Sequence, residues 1–177
     1  SLPKKFWNDK KNHKYKKAYF NIFKNTWYHG DYAEKKKTGG YIIYGRSDAT
    51  LNPGGVRLGT AEIYSVVESF TQIRESICVG QSWKNDIRII LFVVLKKGFE
   101  LTSDLIKTIK MSINADASPR HVPAKIIKVL DIPRTKNGKI VELAVKNTIE
   151  GISIKNKQAL ANPDSLNQFL KLDELKD

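Results

Sequence analysis

Cysteine is nearly absent from this chain of 177 residues: Cys78 stands alone, which excludes an internal disulfide and any zinc site built on several thiolates. Long apolar runs are missing as well. The longest stretch, Ile87 to Leu95, is interrupted by Arg88 and falls far short of the roughly 20 residues a membrane-spanning helix needs. No signal-type apolar core lies near the N-terminus, so the expectation is a cytoplasmic, reducing setting with no membrane partner. The first position lacks a methionine and the chain runs at once into sequence of mid-domain character, so a piece of a longer protein is expected. Proline and glycine, at 6 and 11, are too few for a low-complexity chain, and 41% hydrophobic residues suffice for a core of ordinary size.

Acidic residues are scarce relative to basic ones, 18 against 31, which leaves a formal charge of +13. The first 40 residues hold most of that excess, with 11 Lys against Asp9, Asp31 and Glu34. Between Lys4 and Lys17 the lysines alternate with Phe6, Trp7, His13 and Tyr15, a composition that suits a nucleic-acid backbone with bases stacked on the rings. Arginine, the usual residue of base readout, is absent from that stretch, and no nucleic-acid motif accompanies it. A solvated lysine-rich face is therefore the reading adopted, with a basic nucleic-acid-binding module as the alternative from another class.

Short elements follow one another from residue 26 onward. Thr38-Gly39-Gly40 reads as a turn feeding a strand, Tyr41 to Tyr44, that ends at Gly45-Arg46. Asn52-Pro53-Gly54-Gly55 is a second turn, after which Thr60 stands where an N-cap belongs, ahead of Ile63, Val66, Val67 and Phe70 at helical spacing. Ser76 to Gly80 and Arg88 to Leu95 read as strands, the second central in its sheet. Thr102 caps a helix to about Ile113 with Leu105, Ile106 and Ile109 on one face, and Pro119 lies beyond it. Lys125 to Leu130 reads as a strand, Val141 to Ile149 as a helix, and the polar tail from Asn156 as a loosely packed helix. The fold class is α+β: a short β-sheet with packed helices, and no internal repeat.

No catalytic triad, HExxH or Walker loop is present. Four glycine-turn segments instead each hold charged residues: His29-Gly30-Asp31, Gly45-Arg46-Ser47-Asp48, Gly54-Gly55-Val56-Arg57-Leu58-Gly59-Thr60, and Pro133-Arg134-Thr135-Lys136-Asn137-Gly138-Lys139. Glycine beside a charge lets the backbone approach a ligand and leaves the charged tip free to reach it.

In this order, with 15 residues from Asp31 to Arg46 and 11 from Arg46 to Arg57, the segments resemble the C-terminal part of the acyl-adenylate-forming superfamily. The resemblance runs from about Phe6 to the end. Gly30-Asp31 is similar to the ribose motif, Gly45 to Asp48 to the hinge motif, Gly55 to Ile63 to the glycine loop, and the Pro133 to Lys139 segment to the catalytic-lysine motif. Pro53-Gly54-Gly55-Val56, the lead-in Phe6-Trp7-Asn8-Asp9 and the tail Lys155 to Pro163 resemble the branch that activates acetoacetate; a related short-chain acyl-CoA synthetase is the alternative. The resemblance implies a reaction of ATP, acetoacetate and CoA through an acyl-adenylate, with Mg²⁺ accompanying ATP. It implies that residues 1–47 end a large adenylating domain and that 48–177 form a mobile small domain with a family-specific tail. The rest of the large domain, with its triphosphate loop and acyl pocket, would lie upstream, so this chain alone would not be a competent enzyme.

Residue roles follow from the same resemblance, and each has a physical rationale. Asp31 would accept both hydroxyls of the ribose diol. Arg46 and Arg57 would donate to ribose or phosphate through their planar forks, with a surface ion pair as the alternative for each. Lys139 would place an ammonium where charge gathers on the α-phosphate. Asp48 would be the hinge pivot, and Gly55 would bring backbone close to CoA pantetheine. Arg120, with His121, is a candidate for CoA phosphate, a structural cap being the alternative for the histidine. Cys78 belongs to the core.

Overall fold

The computed structural model describes residues 3–154, 156–170 and 172–176, so Lys155, which opens the tail segment, lies outside the described residues. Compactness divides the chain into two units, one ending at Asp31 and one beginning at Tyr32. In the first, helix α1 (His13–Tyr19) buries none of its residues. Its order comes from rings meeting edge to face, Phe6 with Tyr15 at 5.7 Å, Tyr15 with Tyr19 at 5.3 Å and Tyr19 with Trp27 at 6.5 Å. Several aromatics of the lysine-rich stretch thus already have ring partners.

β1 (Asp31–Lys35), which apart from its first residue belongs to the second unit, and β2 (Tyr41–Arg46) form a two-stranded sheet. A three-stranded sheet of order β3-β4-β5 is the backbone of the core: β3 (Ile73–Trp83) pairs antiparallel with β4 (Asp86–Leu95), and β4 pairs parallel with β5 (Lys125–Lys128). As expected, β4 is central. Its apolar run after Arg88, Ile89 to Leu95, is explained by burial on both faces, since successive side chains point to opposite sides. Ile89, Leu91 and Val93 join Cys78 under α2 (Thr60–Val67) and α3 (Ser103–Asp116), while Ile90, Phe92 and Val94 face α4 (Glu142–Ile149) and the tail. Thr102 caps α3, its hydroxyl accepting the Leu105 N–H at 3.2 Å. No helix among the described residues is long and apolar enough to cross a membrane.

Two expectations need correction. Thr60 is not an N-cap: Gly59 holds that position, without a side-chain bond, and Thr60 is the first residue of α2, buried. Glycine is required there because a Cβ at Gly59 would lie 2.5 Å from the Tyr44 carbonyl oxygen, so its absence lets β2 lie against the start of α2. The tail is no loosely packed helix either. It runs as short 3-10 turns, Lys157–Ala159, Pro163–Phe169 and Asp173–Leu175, and Leu160, Leu166, Phe169 and Leu175 are buried. Phe169 meets Phe92 of β4 edge to face at 4.9 Å. The Arg88 guanidinium and the Gln81 amide both donate to the Leu175 carbonyl, at 2.7 and 3.3 Å.

Candidate functional site

The lysine segment forms a tight reversal. Thr135 donates its N–H to the Lys139 carbonyl at 2.8 Å, Gly138 donates back to Thr135, and the Thr135 hydroxyl accepts the Lys139 N–H at 3.1 Å. Gly138, at φ 77°, makes the turn possible because a left-handed backbone costs glycine nothing. Arg134 ties this loop to the sheet, donating to the Gly138 carbonyl at 2.9 Å and to the Glu75 carboxylate of β3 at 2.8 Å. Thr135 therefore holds the Lys139 backbone through two bonds, and Arg134 braces the turn before it, while the residue itself is exposed. An ammonium on a fixed stalk in solvent is what reaching an incoming phosphate requires.

Arg46 and Asp48, assigned separately to nucleotide and hinge, are brought together. The guanidinium donates to both carboxylate oxygens at 3.3 and 3.4 Å, with both side chains about half exposed. Water screens such a pair, so it contributes little stability and can be exchanged for a ligand. Arg57, exposed, lies over the Tyr32 ring at 5.2 Å, which leaves its donor edges available in the plane of the fork. Gly55 ends the 3-10 turn Pro53–Gly55 at φ 75°. Asp31, in the first unit, pairs with His29 Nδ1 at 2.5 Å. Arg120 is exposed, whereas His121 is buried between the Ser118 hydroxyl and the Glu62 carboxylate, at 2.8 and 2.9 Å. That is the structural alternative for the histidine.

Beneath the segment that carries Asp48 lies a cavity of about 90 Å³ lined by Asp48, Thr50, Asn52, Cys78, Glu142 and Lys146. A polar network closes its floor. The Tyr64 hydroxyl donates to Glu142 Oε1 at 2.5 Å and accepts the Cys78 N–H at 3.0 Å, and the Thr60 hydroxyl also bonds to Glu142. Burial raises the Glu142 carboxyl above its ordinary value; the bonds from Tyr64 and Thr60 oppose this, and the charge of Asp48 adds to it. Burial and the nearby Glu142 charge likewise push the Tyr64 hydroxyl and the Cys78 thiol well up.

A measurable pH dependence follows. Because the folded-state pKa of Glu142 lies above its unfolded value, the folded chain binds the extra proton, and stability falls as pH rises through the folded pKa. Glu142→Gln is expected to be more stable than the parent at neutral pH, with the advantage vanishing in acid below the ordinary carboxylate value of 4.5. Urea unfolding at pH 4 and pH 7.5 checks this; an advantage independent of pH would mean that packing, not ionisation, separates the two proteins.

Sequence reasoning had no role for Arg134, Asp86 or Glu142. Arg134 was visible only as one more charge in the lysine segment, and Glu142 as an acidic residue in a first helical turn, where the helix dipole alone accounts for it. Asp86 follows the left-handed Asn85 at the start of β4 and reads in sequence as an ordinary turn aspartate.

Residues 62–139 match the family described as the AMP-binding enzyme C-terminal domain. The chain is 58% identical over 99% of its length to the acetoacetyl-coenzyme A synthetase of Rhizobium meliloti (strain 1021), of which it covers 27%. It is 48% identical to the acetoacetyl-CoA synthetase of Xenopus tropicalis, again over 99% of this chain and 26% of that protein. In structure it is similar to an acetoacetyl-CoA synthetase from Streptomyces lividans, with a TM-score of 0.87 and 37% identity over 98% of this chain and 26% of that one. The chain thus spans about a quarter of the length of these relatives.

Proposed function

We propose that this chain, whose residues 62–139 match the AMP-binding enzyme C-terminal domain, is the C-terminal portion of an acyl-adenylate-forming enzyme that joins acetoacetate to CoA at the expense of ATP. The observation that carries the reading is the extent of the likeness. The family match spans residues 62–139, whereas the identity to acetoacetyl-CoA synthetases covers 99% of the chain, including a tail whose side chains are part of the core.

In the first half-reaction the acetoacetate carboxylate attacks the α-phosphate of ATP, and pyrophosphate leaves. Lys139 balances the charge gathering on the phosphoryl oxygens. Asp31 accepts the ribose hydroxyls, and Arg46 and Arg57 donate to ribose or phosphate. In the second, the CoA thiol sulfur attacks the acyl carbon of the adenylate, AMP departs and the thiol proton goes to solvent. Gly55 lines the pantetheine path and Arg120 meets a CoA phosphate. Between the two steps the small domain, 48–177, swings about Asp48 relative to the large domain, of which 1–47 is the last piece. The Arg46–Asp48 pair, weak and exposed, suits a joint that must open. Mg²⁺ comes in with ATP; among the described residues no group of three His, Cys, Asp or Glu side chains could hold a metal ion. The lone, buried thiol of Cys78 fits a cytoplasmic, reducing compartment.

Acyl-substrate profiling of the full-length enzyme tests the assignment. Acetoacetate is expected to give the highest kcat/KM among short-chain acids. Preference for acetate or propionate would keep the family and reject the substrate.

A further inference from the structure

The glycine loop that carries Gly55 is held by a residue far from it in sequence. β3 and β4 are joined through Lys84 and Asn85, both left-handed at φ 47° and 64°, the two-residue hairpin whose twist matches that of its strands. Trp83 faces Asp86 across the last rung. The Trp83 ring stiffens this end of the sheet, with the Arg88 guanidinium 3.7 Å and the Lys84 ammonium 5.5 Å from its centroid. From this tip the Asp86 carboxylate reaches back 32 residues to the Gly54 N–H, which donates to its two oxygens at 2.9 and 3.0 Å; one oxygen also accepts the Ile87 N–H at 2.7 Å.

The loop needs such a tie. Gly54 and Gly55 are both left-handed, at φ 57° and 75°, and a Cβ built on either would meet nothing within 4 Å. No neighbour therefore confines the pair on the side where a Cβ would stand, and two adjacent glycines have more backbone freedom to lose than any other residues. What keeps the turn is a short ladder, the Gly55 and Val56 N–H groups donating to the Asn52 and Pro53 carbonyls at 3.3 and 3.1 Å, together with the carboxylate on Gly54. The carboxylate is the one charged partner among these bonds, and hydrogen bonds to a charged group are the stronger kind.

We propose that Asp86 is a positioning residue for the thioester-forming step: its carboxylate fixes the Gly54-Gly55 turn in the shape that receives the pantetheine chain of CoA. The role rests on Gly55 lining that path. Ordering the loop during folding removes that cost from CoA binding, so loss of the tie appears in the KM for CoA and not in the step that precedes it.

The two half-reactions of the full-length enzyme separate these effects. Asp86→Ala is expected to raise the KM for CoA about tenfold in thioesterification of supplied acyl-adenylate, since the exposed bond is in competition with water. ATP–pyrophosphate exchange, which needs no CoA, should stay within about twofold. Asp86→Asn keeps one acceptor oxygen in the same shape and should rise only about threefold, a gradation that general loosening of the hairpin does not produce. If Asp86→Ala and Asp86→Asn leave the KM for CoA unchanged while Gly55→Ala raises it, the glycine loop meets CoA but Asp86 does not position it. If Gly55→Ala also leaves it unchanged, the CoA reading of the loop is what fails. Equal losses in both half-reactions, in parallel with a lowered melting temperature, would reduce Asp86 to a structural residue and overturn the proposal.

Discussion

In the full-length enzyme, Lys139→Ala should lower adenylate formation by about 10²- to 10³-fold, the scale on which a single electrostatic group at a developing charge acts, and leave thioesterification of supplied acyl-adenylate largely intact. The asymmetry comes from where charge develops. Only the first half-reaction gathers negative charge at the α-phosphate, and only there is a fixed ammonium worth more than the water it replaces. The local structure supports a specific loss. Lys139 is exposed, and its loop is held by backbone and Thr135 bonds and by Arg134, none of which uses the ammonium, so removing it should not disturb the fold. Pyrophosphate exchange and single-turnover thioester formation, measured on the same preparation, decide the matter: equal deficits in both would remove Lys139 from the adenylation step.

The largest expected effect on stability lies in the tail. Phe169 is fully buried and edge-on to Phe92, and truncating a buried phenylalanine costs about 3–5 kcal/mol through lost transfer energy and the cavity left behind. Phe169→Ala should therefore move the urea midpoint of this chain by an amount comparable with much of a domain's net stability, whereas Phe169→Leu should cost far less because most of the volume remains. A loss below about 1 kcal/mol for the alanine variant would mean that the tail lies on the core without completing it.

Elements whose burial is periodic or continuous were legible in the sequence. β4 announced itself as an apolar run bounded by charge, and α3 by a cap and a repeating face. The tail was not legible because Leu160, Leu166, Phe169 and Leu175 follow neither the helical nor the strand period. Their burial comes from 3-10 turns laid on a surface made by other parts of the chain. Thr60 misled for a related reason. A threonine before an amphipathic stretch reads as a cap, but its hydroxyl turns inward to Glu142, and the same carboxylate bonds Tyr64 across 78 residues. At the candidate site the charged residues and their glycines were readable, since each sits in a local turn. The side chains that brace those turns were not: Arg134 reaches Glu75 across 59 residues and Asp86 reaches Gly54 across 32, and local pattern carries no record of such pairs.

The place of Leu175 in the core sets an order for biosynthesis. Arg88 and Gln81 on the first two strands of the sheet have a shared acceptor in the Leu175 carbonyl, and β4 must wait for β5 to gain its second neighbour. Contacts so distant along the chain form late and slowly. A nascent chain emerging N-terminus first would thus leave Phe92 without Phe169, and that sheet face without its tail cover, until the tail had cleared the ribosome, several seconds after β4 at the usual rate of about 5–20 residues per second. During that interval the unfinished sheet shows water the apolar surface through which partly folded chains aggregate.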